Sequence, residues 1–189
     1  MKTTILKFAF LATVIGTLTF SSCKKNPTPT PEDAQEEYDA SRIQFVLLNP
    51  EGSETTDTTT IDFNRNGVAA PNTAMLMSNK HYRMLITLLN HGNSVNDEVL
   101  EEGTIHQFFF IASQNNVFDY AYNDFDVNSR GIGLDGTAII SGPGTTQLKV
   151  VLRHGLDKSK PEAQSWNSTS YENAGGEDDL NISFQITAQ

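Results

Sequence analysis

The chain of 189 residues has a single cysteine, Cys23, so no disulfide can close within it, and neither a thiolate zinc site nor a CxxC redox pair can be built. Long helical periodicity is also missing. No window keeps an apolar i, i+3, i+4 pattern beyond about two turns, which removes helical bundles and alternating strand–helix folds. Catalytic signatures are absent: there is no GxSxG elbow and no HExxH, HxH or HxxxH spacing. Gly142-Pro143-Gly144 and Gly175-Gly176 do not open helices in a phosphate-binding frame and read as turns. Paired carboxylates occur throughout so acidic a chain and therefore mark no particular site. The expectation is a protein that is not an enzyme.

Basic residues are scarce, 13 Lys and Arg against 23 Asp and Glu. Lys2 and Lys7 precede Cys23 and no acidic residue does, so the chain from Cys23 onward holds 11 basic and 23 acidic residues, a formal charge of −12. That surface disfavours nucleic acid and anionic lipid, and it suits cations or a cationic patch on a partner protein.

The N-terminus reads as a lipoprotein signal over residues 1–22. Lys2 and Lys7 form a basic region, residues 8–20 are free of charge, and Phe20-Ser21-Ser22-Cys23 ends the run on small residues before a cysteine. The apolar stretch is shorter than the ~20 residues a transmembrane helix needs. Lipidation of Cys23 is the expected outcome, with acyl chains supplying about 0.8 kcal/mol of membrane affinity per buried CH₂. Residues 23–40, rich in Pro, Thr, Glu and Asp, have little apolar surface to bury and read as a disordered or extended tether. Residues 41–189 are then one domain.

Within that domain, short β-rich runs at 43–48, 58–63, 73–77, 82–89, 105–111, 117–122, 134–140, 147–152 and 180–187 are separated by Gly, Asn, Asp and Pro. Alternation is clear in Thr60-Ile61-Asp62-Phe63 and in Ile182-Ser183-Phe184-Gln185-Ile186. The fold class is all-β: one antiparallel β-sandwich of about eight strands, immunoglobulin-like or jelly-roll, with a single short helix over 94–103.

Four histidines, His81, His91, His106 and His154, are the main candidates for metal chemistry, because neutral imidazole is the usual ligand for zinc, copper or iron. His91, His106 and His154 fall near strand ends, and Glu101, Glu102 or Glu177 would complete a mixed shell. The set His91, His106, His154 and Glu177 is the expected metal site; ordinary surface or core histidines are the alternative. A calcium loop is a second candidate, with Asp124, Asp126, Asn128 and Asp135 at positions 1, 3, 5 and 12 of the count. Ser129 stands where such a loop wants glycine, and no helices flank it. The aromatics Phe108, Phe109, Phe110, Phe118, Tyr120 and Tyr122 suit a core better than a ligand platform. Trp166, in the polar stretch 161–172, reads as an exposed contact for a protein or glycan partner. Asp57-Thr58-Thr59 matches a short O-glycosylation triplet.

The run Tyr82-Arg83-Met84-Leu85-Ile86-Thr87-Leu88-Leu89-Asn90, the acidic helix ending Glu101-Glu102, and His106-Gln107-Phe108-Phe109-Phe110 resemble small Bacteroidota outer-membrane lipoproteins. So do Gly131-Ile132-Gly133-Leu134, Leu152-Arg153-His154 and Gly175-Gly176-Glu177-Asp178-Asp179-Leu180. Some of these lipoproteins are encoded beside TonB-dependent receptors. The resemblance implies an accessory in the outer membrane that helps such a receptor take up metal, haem or another scarce nutrient. Thr104-Ile105 stands where an acidic residue commonly precedes the histidine of that pattern, which weakens a carboxylate there. A structural or adhesive surface module without metal is the alternative function.

Overall fold

In a computed structural model of the chain, residues 38–114 and 116–189 are described; the signal, Cys23 and residues 24–37 of the tether lie outside them. Eleven strands run in chain order: β1 (Ala40–Leu48), β2 (Glu54–Asn64), β3 (Ala69–Ala70), β4 (Thr73–Leu76), β5 (Lys80–Asn90), β6 (Asn93–Ser94), β7 (His106–Ala112), β8 (Phe118–Tyr122), β9 (Asp135–Ile140), β10 (Gly144–His154) and β11 (Glu177–Ala188). One α-helix, α1 (Asn96–Glu101), precedes β7. All nine expected strands are present. The two additions, β3 and β6, are two-residue pairings too short to leave a periodic signature.

The strands form two sheets. The larger has the order β3-β2-β1-β5-β9-β8, with β6 on β5, and the smaller the order β4-β11-β10-β7. Every pairing is antiparallel except β4 with β11. The fold is the all-β sandwich. Its core follows from period-two alternation: Ile43, Phe45, Ile61, Met84, Ile86, Leu88 and Ile140 of the large sheet meet Phe108, Phe110, Leu148, Val150, Leu152, Phe184 and Ile186 of the small one. Each such side chain contributes roughly 1.5–3 kcal/mol by burial.

The six aromatics sit where packing needs them. Phe108, Phe110, Phe118 and Tyr120 lie in the main core, with Tyr122 packed against it. Phe109 points to the opposite face of the small sheet and joins Val151, Leu156, Ala163, Tyr171 and Ala174 in a second cluster. The segment between β10 and β11, with 3-10 turns at Pro161–Ala163 and Tyr171–Ala174, covers that outer face. β7 is consequently buried on both sides, which is why His106-Gln107-Phe108-Phe109-Phe110 reads as a continuous run rather than an alternating one.

Lys158 fixes this covering segment from inside. Its Nζ, fully buried, donates to the carbonyls of Gly103 (2.8 Å) and His106 (3.0 Å) and pairs with Asp126 Oδ2 at 3.1 Å. Burial lowers the Lys158 pKa from its ordinary value, against the opposing pull of Asp126. The domain also begins slightly before residue 41. Ala40 opens β1, the Asp39 amide donates to the Leu89 carbonyl, and Tyr38 packs against the core.

Candidate metal centre

Three neighbouring strands bring acidic and imidazole groups into one row at an end of the small sheet. His106 opens β7 and His154 closes β10, and the antiparallel register sets them opposite each other. Both lie on the core face, because His106 shares its side of β7 with Phe108 and Phe110. Their rings stack with centroids 4.6 Å apart and 28° between planes.

The third strand contributes through a defect. Leu152 pairs with Leu180 but Arg153 pairs with Asp178, so Asp179 is the extra residue of a β-bulge in β11. A bulge re-aims a side chain. Asp179 thereby reaches both histidines, its Oδ2 lying 3.6 Å from His106 Nε2 and 3.6 Å from His154 Nδ1. Gly176, just before β11, keeps this corner close: at φ +74°, its Cβ, were it another residue, would fall onto the His154 carbonyl.

Glu102, the residue after α1, faces the opposite edge of the imidazole pair. Its Oε2 is 3.9 Å from His106 Nδ1 and 4.0 Å from His154 Nε2. Glu102, His106 and His154 form the one set of three or more potential metal ligands among the described residues with all atoms mutually within 4.8 Å. On the other edge the Asp179 carboxylate makes the shorter contacts and is the drier of the two. The Asp179 side chain is 1% exposed and that of Glu102 40%.

The electrostatics of that edge are unfavourable without a cation. Both Asp179 oxygens and His106 Nε2 are buried and find no hydrogen-bond partner among the described residues. His106 Nδ1 lies 3.3 Å from the Glu102 carbonyl, which can only accept, so a hydrogen bond there is donated by Nδ1. A buried carboxylate beside two imidazoles calls for a positive charge, supplied by a metal ion or by an imidazolium proton. The carboxylate lies 3.6 Å from a nitrogen of each, longer than the about 2.7–2.9 Å of a charged hydrogen bond, while the set whose potential ligand atoms all lie within 4.8 Å of one another uses Glu102 on the other edge. A surface groove lined by Tyr38, Ser41, Asn64, Arg65, Asp179 and Asn181 runs beside this edge, while the Asp179 side chain itself is buried. The Ser41 hydroxyl, buried in that wall, also lacks a partner.

The expected set is therefore half assembled. His106 and His154 meet. His91 does not join them: it forms the two-residue turn between β5 and β6 with Gly92, both at positive φ (50° and 79°), with its side chain exposed and its amide donating to Asp39. Glu177 lies opposite His154 in register but is solvent-exposed, and β11 supplies Asp179 in its place because of the bulge. Asp179 was hidden in the sequence, since it is one of three consecutive acids and only the bulge distinguishes it.

The calcium register is spent on other bonds. Asp124 accepts from the amides of Gly133, Leu134 and Asp135, and Asp126 from those of Asn128 and Arg130 as well as pairing with Lys158. Asp135 is bound by Arg83 at 2.6 Å, and Asn128 faces solvent. These residues build a loop rather than converge on an ion. Trp166 is also not the free contact expected. It is half buried, edge-on to Phe118 (5.9 Å) and Tyr120 (6.3 Å), and its carbonyl accepts from the Phe110 amide.

No protein-family model matches this chain, and the comparison with curated proteins found no match. No helix among the described residues is long and apolar enough to cross a membrane.

Proposed function

We propose that this chain is a lipid-anchored, non-enzymatic binding protein of the cell envelope that captures a divalent transition-metal ion, as an accessory to uptake through a TonB-dependent receptor. The anchor is carried by the lipobox-like Phe20-Ser21-Ser22-Cys23, and the receptor by the resemblance of the strand and histidine segments. The metal is carried by one observation: the buried Asp179 carboxylate, without a hydrogen-bond partner, lies 3.6 Å from a nitrogen of each of two stacked histidines. Imidazole with carboxylate suits zinc, copper, nickel or iron(II) and not calcium or magnesium, which prefer oxygen-only shells. Rings stacked at 4.6 Å leave no slit for a porphyrin, so a bare or small-chelate ion fits better than haem.

The test is calorimetric titration of the full chain in detergent with zinc, copper, iron(II), calcium and haem separately. One transition-metal ion per chain with sub-micromolar affinity, lost in the His106→Ala/His154→Ala double variant, is the expected result. No transition-metal binding, or binding indifferent to both histidines, defeats the reading.

A further inference from the structure

We infer that the ion is ligated on the Glu102 edge of the imidazole pair, by Glu102 Oε2, His106 Nδ1 and His154 Nε2, while the buried Asp179 orients both rings from the opposite edge without touching the metal. The inference rests on the metal reading above and adds which groups ligate, which one positions, and where the ion enters.

Each edge faces one nitrogen of each histidine, so an ion on one edge leaves the other two nitrogens to carry protons. The Glu102 edge is where three donors converge. One ligand atom from each of Glu102, His106 and His154 lies within 4.8 Å of the other two, and Glu102 Oε2 is 3.9 Å from His106 Nδ1 and 4.0 Å from His154 Nε2. An ion that bonds each donor at about 2.0–2.2 Å draws them closer. The Glu102 side chain, 40% exposed, has room to move in. The contact that competes for His106 Nδ1 is the Glu102 carbonyl at 3.3 Å. That carbonyl already accepts from the Ile105 amide at 2.9 Å, so releasing the imidazole leaves it satisfied. The His106 proton then belongs on Nε2, which faces Asp179.

An imidazole that ligates through one nitrogen usually presents its other N–H to a carboxylate or carbonyl, which fixes the ring and makes it a better ligand. Asp179 fits that part for both rings at once. Its side chain is 1% exposed, neither oxygen has a hydrogen-bond partner among the described residues, and Oδ2 lies 3.6 Å from His106 Nε2 and from His154 Nδ1. A metal on the far nitrogens makes both near ones donors, and it brings the buried carboxylate a compensating positive charge through the rings. Loading the site and satisfying Asp179 are therefore one event. Exposure falls from 40% at Glu102 to 13% at His154 and 0% at His106, so the ion enters and leaves past Glu102. Three protein ligands leave a fourth position for water or a donor atom from a partner, as suits an ion that is handed on.

The direct test is NMR of the zinc-loaded full chain in detergent with isotope-labelled histidine, which reads the ligating nitrogen of each ring. Zinc on His106 Nδ1 and His154 Nε2, with protons on His106 Nε2 and His154 Nδ1, is the expected result. The reverse assignment overturns the inference and leaves the metal reading standing. Cobalt(II), whose visible bands report its donor set, separates the two carboxylates. Asp179→Asn is expected to keep the parent bands at saturation and to weaken zinc binding about 10- to 100-fold, the effect of losing an orienting partner. Glu102→Gln is expected to change the bands and to weaken zinc binding by more than about 100-fold, beyond that range. Loss of the parent bands in a folded Asp179→Asn chain, or their survival in Glu102→Gln, overturns the edge assignment. If neither cobalt nor zinc binds the parent chain, the inference and the metal reading both fall.

Discussion

At the scale of single residues, Asp179 sets a conflict between stability and binding. Its carboxylate is taken out of water and given no donor, a cost of about 1–3 kcal/mol for an unsatisfied buried polar group. An amide in its place can donate to His106 Nε2. Asp179→Asn should therefore raise the stability of the metal-free protein by about 1–3 kcal/mol in urea denaturation with chelator present. Destabilisation would mean that the carboxylate already holds a proton from a histidine, leaving less need for a metal. Residues that hold strain for function are expected to be replaceable by stabilising ones.

At the scale of elements, the segment between β10 and β11 decides how the site is walled. Its buried Lys158 inserts between the His106 strand and the 124–131 loop, donating to two carbonyls and forming an ion pair with Asp126. Removing one member of a buried pair leaves the other charge uncompensated. Lys158→Ala should cost on the order of 3–5 kcal/mol in urea unfolding and also lower zinc affinity, because the His106 carbonyl loses its clamp. A cost below about 1 kcal/mol would show that the segment is held by Phe109, Tyr171 and their neighbours rather than by the lysine. The β11 bulge acts on the same scale: it turns Asp179 to the core face while Asp178 keeps its bond to Arg153 at 2.7 Å on the outer one.

For the molecule as a whole, two aspartates contribute to acid stability with opposite sign. Burial raises Asp126, but the Arg130 amide, Lys158 and the Asn128 amide outweigh it, and its pKa is lowered from 3.8. Its folded state thus holds the proton less tightly than the unfolded chain does. The stability it contributes is present above about pH 4 and is lost as pH falls through the depressed value. Asp124 behaves oppositely. Burial raises it despite three amide donors, so its protonation on folding adds stability as pH falls from the raised value toward 3.8. The stability gap between the parent and Asp126→Asn should therefore shrink below pH 4, while the gap for Asp124→Asn should not, as read from urea midpoints across pH 2.5–6. Parallel curves for both variants would contradict this account.

Much of the architecture was determined by the sequence alone. Alternation in Ile182-Ser183-Phe184-Gln185-Ile186 and the turn residues between runs are local facts, and local facts set strand positions, the short helix and the all-β class. Strand order and the parallel pairing of β4 with β11 are not local, and only the tertiary structure decided them. The site divides along the same line. His106 and His154 were legible as histidines at strand ends, whereas the choice of Asp179 over Glu177 depends on a one-residue bulge, and the exclusion of His91 on a turn in the other sheet. Trp166 and the 124–135 aspartates misread for a related reason: polar sequence around them signals exposure, yet packing on Phe118 and backbone amides in the loop had claims on them that spacing does not reveal. A ligand set is a statement about distances across strands, and sequence fixes distance only along the chain.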